Sequence, residues 1–328
     1  MNVICFDLEG PLSPQDNAYE LMKLFPSGGK VFETISRYDD LLTLEARPDY
    51  EPGDTLALIA PFLVYHEIKE EAINALARKA TLTNGAARLI SQLSAQGWKI
   101  FCISTSYEQY ALHITQRLSI FSQSIACTSF PLDEISQTLC KEDFRYLERM
   151  ETDILNMYSI DDDWIKKNLD HFYWEELPKT NFGPLLKQVK PVGGQRKVEA
   201  LKRFAQAQDE PLSNWVVVGD SITDFKMLQA VEQAGGLAIA FNANEYAIPY
   251  STIGLASTHL DDLWPVLEGW RRGKRSAVEK LVKGKERTGG SGDRGYFHWL
   301  GGISDIAAPL EIHKRIRHIV REEAAKLG

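Results

Sequence analysis

The chain opens with a short apolar run that leads straight into acid. Val3-Ile4-Cys5-Phe6 is followed by Asp7-Leu8-Glu9 and then by Gly10-Pro11. Four consecutive apolar residues closed by a turn pair predict a strand buried on both faces. Such a strand belongs inside a parallel sheet covered by helices, and open parallel sheets place ligands at the carboxyl ends of their strands. Asp7 and Glu9 fall at that end. Taken alone, the pair fits either a ligand site or the cap of a following helix, because a lone acid-x-acid spacing is not specific.

The rest of the chain shows what this strand is built into. Residues 15–81 carry apolar residues at helical spacing and no clear strand, as in Asn17 to Phe25, Thr55 to Tyr65 (where Pro61 is expected to interrupt the helix) and Glu70 to Ala77. Regular alternation starts at Asn84, which opens a helix that Gly97 stops. Lys99 to Ile103 is a second strand, ending in Ser104-Thr105-Ser106. A helix from Tyr107 and a candidate strand at Ser124 to Cys127 follow. Residues 133–188 break the pattern with aromatic, acidic and mostly helical sequence, too long for a loop in a compact domain. Asp161-Asp162-Asp163 reads as the cap of a helix beginning at Trp164 rather than as a metal cluster. The alternation resumes with a helix opened near Arg196-Lys197. The strand Trp215 to Val218 then runs into Gly219-Asp220-Ser221-Ile222-Thr223-Asp224, and Leu237 to Phe241 is a further strand.

Helix and strand in turn predict an α/β fold with a doubly wound parallel sheet. The expected division is a core of 1–14, 82–132 and 189–270, a helical cap at 15–81, a second mostly helical insertion at 133–188, and a helical C-terminal extension at 271–328.

Composition narrows the function classes. The net charge of -8 over 328 residues argues against a nucleic-acid partner, and no apolar run is long enough to span a bilayer. No basic stretch followed by an apolar one opens the chain, so a signal peptide is not expected. Cys5, Cys102 and Cys127 lie in apolar runs and Cys140 stands apart, with no metal spacing. Small buried thiols of this kind suit a reducing cytoplasm. Thr288 to Gly295 is glycine-rich but lacks the Gly-Lys-Ser/Thr of a phosphate loop. From Arg271 onward there are 14 Lys and Arg against 7 Asp and Glu, which leaves -15 for the remainder. Apolar residues at Trp299, Leu300, Ile303, Ile306, Leu310, Ile312, Ile316 and Ile319 predict that this basic tail docks on the acidic body, through the 133–188 insertion, or across a homodimer interface.

Parallel strands would bring Asp7, Glu9, Ser104, Lys197, Asp220 and Asp224 to one sheet edge. Converging carboxylates suit a hard cation with oxygen ligands, for which Mg2+ is the natural candidate. A hydroxyl and a lysine suit phosphate oxygens. An aspartate beside both can act as a nucleophile on phosphorus, and an acid two residues away can protonate the leaving oxygen.

An acid-x-acid pair after the first strand, a Ser after the second, then Lys197, then Gly219-Asp220 to Asp224 make four motifs that in this order resemble the haloacid dehalogenase superfamily of phosphatases, nearest the phosphoserine phosphatase type. The resemblance covers about residues 1–25, 82–130 and 190–265, with Leu82 to Ala86, Arg196 to Leu201 and Ala240 to Ala243 flanking the motifs. The stretch Glu9 to Ala18 is also similar to an archaeal branch described as subunit R of an energy-converting hydrogenase. The resemblance implies Asp7 as nucleophile and metal ligand, and Glu9 as the acid/base that also lends its backbone carbonyl to the metal. It implies Ser104, with Thr105, as the phosphate holder and Lys197 as the neutralising lysine. Asp220 would then bind Mg2+ directly, and Asp224 would be a ligand or stand behind one. Lys190 rivals Lys197, which is preferred because it opens the helix before the Gly-Asp strand. The family usually has Asp at position 9 and Ser or Thr at position 11. Thr105-Ser106 also replaces the paired glycines of the phosphoserine enzymes.

A Mg2+-dependent phosphatase of a small phosphorylated metabolite is therefore expected, with Asp16, Glu20, Arg37 and Arg47 as cap residues that would set specificity. The alternatives are a phosphotransferase or phosphonate hydrolase of the same superfamily, and a non-catalytic regulatory protein that keeps the site.

Overall fold

The computed structural model describes residues 2–137, 143–157, 161–303 and 305–327. Cys140 lies outside them, while Cys5, Cys102 and Cys127 are free thiols.

Seven strands make one sheet: β1 Val3–Phe6, β2 Lys99–Tyr107, β3 Ile125–Thr128, β4 Trp215–Gly219, β5 Leu237–Phe241, β6 Ile253–Ala256 and β7 Tyr296–Trp299. Their spatial order is β3-β2-β1-β4-β5-β6-β7. All neighbours are parallel except β6 and β7, which pair antiparallel with Ile253 opposite Trp299. β1 sits between β2 and β4, with Phe6 level with both Cys102 and Val218. The chain winds outward from β1 in one direction and from β4 in the other. The crevice between β1 and β4 is thus the switch point where doubly wound sheets bind ligands.

The buried runs follow from period-two alternation. Ile4, Phe6, Val216 and Val218 face one hydrophobic layer; Val3, Cys5, Trp215 and Val217 face the other. The helices are α1 Asn17–Met22, α2 Gly28–Leu44, α3 Thr55–Tyr65, α4 Glu70–Lys79, α5 Ala86–Ala95, α6 Glu108–Arg117, α7 Leu132–Gln137, α8 Phe144–Met157, α9 Asp162–Asp170, α10 Gly183–Gln188, α11 Gly194–Ala207, α12 Phe225–Gln233, α13 Trp264–Thr288 and α14 Ala307–Arg321.

Helices α1 to α4 form the cap, and α7 to α10 the second insertion. Their apolar faces, with Tyr38, Phe62, Phe172 and Tyr173, join the same hydrophobic cluster as one face of the sheet. Helix α3 runs through Pro61 without stopping, contrary to the expected interruption. The helix is almost wholly buried, so packing outweighs the lost backbone bond. The hydroxyls of Tyr107 and Tyr173 donate to the carbonyls of Leu56 and Leu58 just before it, at 2.7 and 3.0 Å. Asp161 caps α9 by accepting from the Trp164 backbone N–H at 2.9 Å, as its position predicts.

The tail holds one strand that helical spacing does not show. Helix α13 is kinked at Gly273 and Lys274, β7 extends the core sheet, and α14 returns across it. On α14, His313 is buried and its Nδ1 accepts from the Ala243 backbone N–H at 2.9 Å. The tail therefore docks on the edge of the core sheet. No helix among the described residues is long and apolar enough to cross a membrane.

Candidate active site

Asp7 follows β1 directly, and its backbone N–H still pairs with the Val218 carbonyl at 2.8 Å. Across the crevice, Asp220 and Asp224 lie on the turn between β4 and α12. Lys197 enters from the first turns of α11. It is fully buried and its Nζ donates to Asp7 Oδ1 at 2.8 Å and to Asp224 Oδ1 at 2.7 Å. The other Asp224 oxygen accepts from the backbone N–H groups of Asp220 and Ser221, at 2.9 and 3.2 Å. Asp224 thus holds both the lysine and the turn. Two glycines permit this closeness. A Cβ on Gly10, whose φ is +101°, would lie 2.5 Å from the Asp220 carboxylate, and one on Gly219 would lie 2.6 Å from that of Asp224.

Oxygens of Asp7, Asp220 and Asp224 lie within 4.8 Å of one another. Asp220 Oδ1 is buried and takes no hydrogen bond. A buried carboxylate oxygen without a donor is costly unless a cation satisfies it, and an all-oxygen set of this charge suits a hard divalent ion. The residues therefore fit a metal held chiefly by Asp7 and Asp220. Burial and the nearby Asp224 charge push the Asp7 carboxyl well up, and Lys197 opposes them. Burial works against the Lys197 ammonium too, but Asp224 and Asp7 outweigh it and keep the lysine charged.

Above these groups lies a cavity of about 60 Å³, lined among others by Asp7, Glu9, Asp16, Thr105, Thr223 and Arg321. Glu9 is partly buried, and its Oε1 accepts from the Asn17 backbone N–H at 2.7 Å. Burial and the Asp16 charge push its carboxyl up to about 8. The β2–β3 register shifts between Ile103 and Tyr107, and Ser104 and Thr105 there point differently, with Thr105 Oγ1 donating to the Val192 carbonyl at 3.2 Å. Thr105 lines the cavity. Ser104 does not, and its Oγ accepts from the Ser106 backbone N–H at 3.1 Å. Lys190 is exposed and lines a separate cavity of about 720 Å³ under Tyr173 and Trp174.

The cap is closed over the site. Asp39 accepts from the Tyr50 hydroxyl and from the backbone N–H groups of Gly53 and Thr55, at 2.5, 3.0 and 3.2 Å. This shapes a loop that lays Gly53 against Thr105, where a Cβ would approach to 2.7 Å. Asp54 pairs with Arg196, and Glu51 accepts from Lys226 Nζ and the Gln195 N–H, both at 2.7 Å. Of the four cap residues expected to set specificity, Asp16 lines the cavity while also capping α1, accepting from the Tyr19 N–H at 2.8 Å. Arg37 lines a neighbouring cavity of about 460 Å³ and donates to Asp162. Glu20 pairs with Lys23 on the surface at 3.3 Å. Arg47 pairs with Asp170 at 3.0 Å and lies over the Trp174 ring.

Sequence reasoning expected the tail to dock but not that it reaches the site. Arg317 and Arg321 of α14, four residues apart and so on one helix face, both donate to Asp220 Oδ2, Arg321 at 2.8 Å. The only signal was two arginines in register with buried Ile316 and His313.

No protein-family model matches the chain, and no curated protein does. Among solved structures, gene product AF1437 from Archaeoglobus fulgidus is 28% identical with a TM-score of 0.86, over 100% of this chain and 99% of that one. A phospho-aspartyl intermediate analogue of phosphoserine phosphatase is 17% identical with a TM-score of 0.51, over 80% and 97%. A substrate-bound phosphoserine phosphatase gives the same values. The chain has the fold of these haloacid dehalogenase-like phosphatases, and it brings Asp7, Asp220 and Asp224 together at the switch point of its sheet.

Proposed function

We propose that the protein is a Mg2+-dependent phosphohydrolase that acts on a small phosphorylated metabolite through an aspartyl-phosphate. The observation that carries this is the buried Lys197 bridging Asp7 and Asp224 beside an unpartnered oxygen of Asp220. Asp7 and Asp220 would hold the ion, with Asp224 fixing the turn behind them. Once bound, the cation supplies positive charge that draws phosphoryl oxygens toward Asp7.

Lys197 opposes the rise that burial and Asp224 impose on Asp7 and orients its carboxylate, and the cation would complete the charge balance that leaves Asp7 ionised. Asp7 then attacks phosphorus, and the bond to the leaving oxygen breaks. Glu9, protonated at neutral pH and pinned through Asn17, donates its proton to that oxygen. A water next attacks the acyl phosphate, Glu9 takes back a proton, and inorganic phosphate leaves with Asp7 restored. Thr105 rather than Ser104 takes the phosphate-holding place, because it is the one that lines the cavity with Asp7. The closed cap limits the leaving group to what fits between α2 and α14, where the 460 Å³ cavity adjoins the site through Ser36 and Asp40. Likeness in fold to a phosphatase structure with a phospho-aspartyl analogue supports the same chemistry. No cap lysine lines this cavity among the described residues, so nothing favours a Schiff-base phosphonate hydrolase.

The test is turnover of p-nitrophenyl phosphate and of a panel of phosphorylated metabolites, with Mg2+ and with chelator. Saturable, Mg2+-dependent release of phosphate is expected. Absence of turnover on every ester, with metal bound, would refute the proposal.

A further inference from the structure

We infer that Arg321, carried in by the C-terminal helix, is a phosphoryl-binding residue of the active site. The inference rests on the phosphohydrolase reading and extends it to a part of the chain outside the four motifs.

Charge at the cavity wall is the first observation. Asp7, Glu9, Asp16, Asp39 and Asp40 line it, and Arg321 is its one cationic side chain among the described residues. A phosphate ester entering such a wall meets repulsion that an ion on Asp7 and Asp220 offsets only in part. The second observation is how the two arginines divide their donors. Arg317 gives its own to Asp220, to the Asn242 carbonyl at 3.3 Å, and to the carbonyls of Ala325 and Leu327, both at 3.1 Å. It neutralises Asp220 and closes the end of the chain, and no nitrogen is left over. Arg321 donates from Nε to the Pro14 carbonyl at 3.2 Å and from Nη1 to Asp220 at 2.8 Å. Its Nη2 has no partner among the described residues.

Pairing Asp220 does not account for this second arginine. Arg317 already meets that oxygen, and two like charges four apart on a helix repel. Burying another guanidinium is unfavourable unless its donors are used. A planar fork with two nitrogens fixed and one free is the arrangement that receives a phosphate oxygen.

Two measurements test this. Inorganic phosphate is titrated calorimetrically into Mg2+-saturated wild type, Arg321→Gln and Arg321→Lys, and Mg2+ is titrated separately into each. Loss of one charge-assisted bond predicts phosphate binding weakened about tenfold or more in Arg321→Gln, with a smaller loss in Arg321→Lys and Mg2+ affinity little changed. Unchanged phosphate affinity in folded Arg321→Gln, or Mg2+ affinity that tightens while phosphate affinity holds, would overturn the inference and leave Arg321 as a clamp on Asp220. The second measurement needs no variant: orthovanadate and Mg2+ are soaked into wild-type crystals. Contact between Arg321 and a vanadate oxygen is expected. Vanadate on Asp7 with Arg321 turned only to Asp220 and Pro14 would sink the inference alone, whereas wild type binding neither anion would remove the phosphohydrolase reading with it.

Discussion

Asp7 stands between neighbours of opposite sign, Asp224 and Lys197, at the floor of a small cavity, and each position around it admits little change. Position 105 shows how finely the site is set. Thr105→Ala should lower kcat/KM by about tenfold to a hundredfold, the loss expected from one hydrogen bond to a charged oxygen, while Ser104→Ala should change it by less than about threefold on the same scale. Steady-state kinetics on any turned-over ester distinguishes them, and the reverse order would return the role to Ser104. The sequence shows that hydroxyls follow the apolar run of β2 but not which one faces Asp7. Side chains alternate along a strand, so an offset of one residue moves the group to the other side. The choice between Lys190 and Lys197 was more legible, because a helix start next to the Gly-Asp strand has a fixed place in a doubly wound sheet.

Among the elements, α14 is the one whose role could not be read from spacing. Its apolar residues announce docking, but what it docks on depends on β7, a four-residue strand recognisable only by its partner β6. The anchor is also chemically specific. Burial, with some help from His298 on β7, pushes His313 down to about 3, and burial pushes His298 to about 4. An unfolded imidazole takes a proton below about pH 6.5, while His313 in the folded chain resists protonation until far lower pH. Stability from the neutral ring is present above about pH 6.5 and is lost as pH falls from there toward 3. Hydrogen exchange over residues 307–321 should therefore quicken between pH 7 and pH 5 more than exchange in β1 or β4, after correction for intrinsic rates. Equal protection of tail and core across that range would mean His313 does not govern docking.

For the whole molecule, the parallel core, the cap and the insertions were foreshadowed by where periodicity changes, since inserted helical units interrupt the strand-helix alternation without altering it, whereas the strand order and β6 were not. What escaped was the return of the tail to the switch point, a contact spanning some three hundred residues that no local pattern encodes. The whole arrangement exists, on this account, to let one carboxylate take up a phosphoryl group. Acid quenching during turnover of a phosphate ester, followed by peptide mass spectrometry, tests that most directly. A phosphoryl group is expected on Asp7, with Asp7→Asn giving neither adduct nor turnover while keeping a native circular dichroism spectrum. A phosphoryl group on another residue, or undiminished turnover by Asp7→Asn, would contradict it.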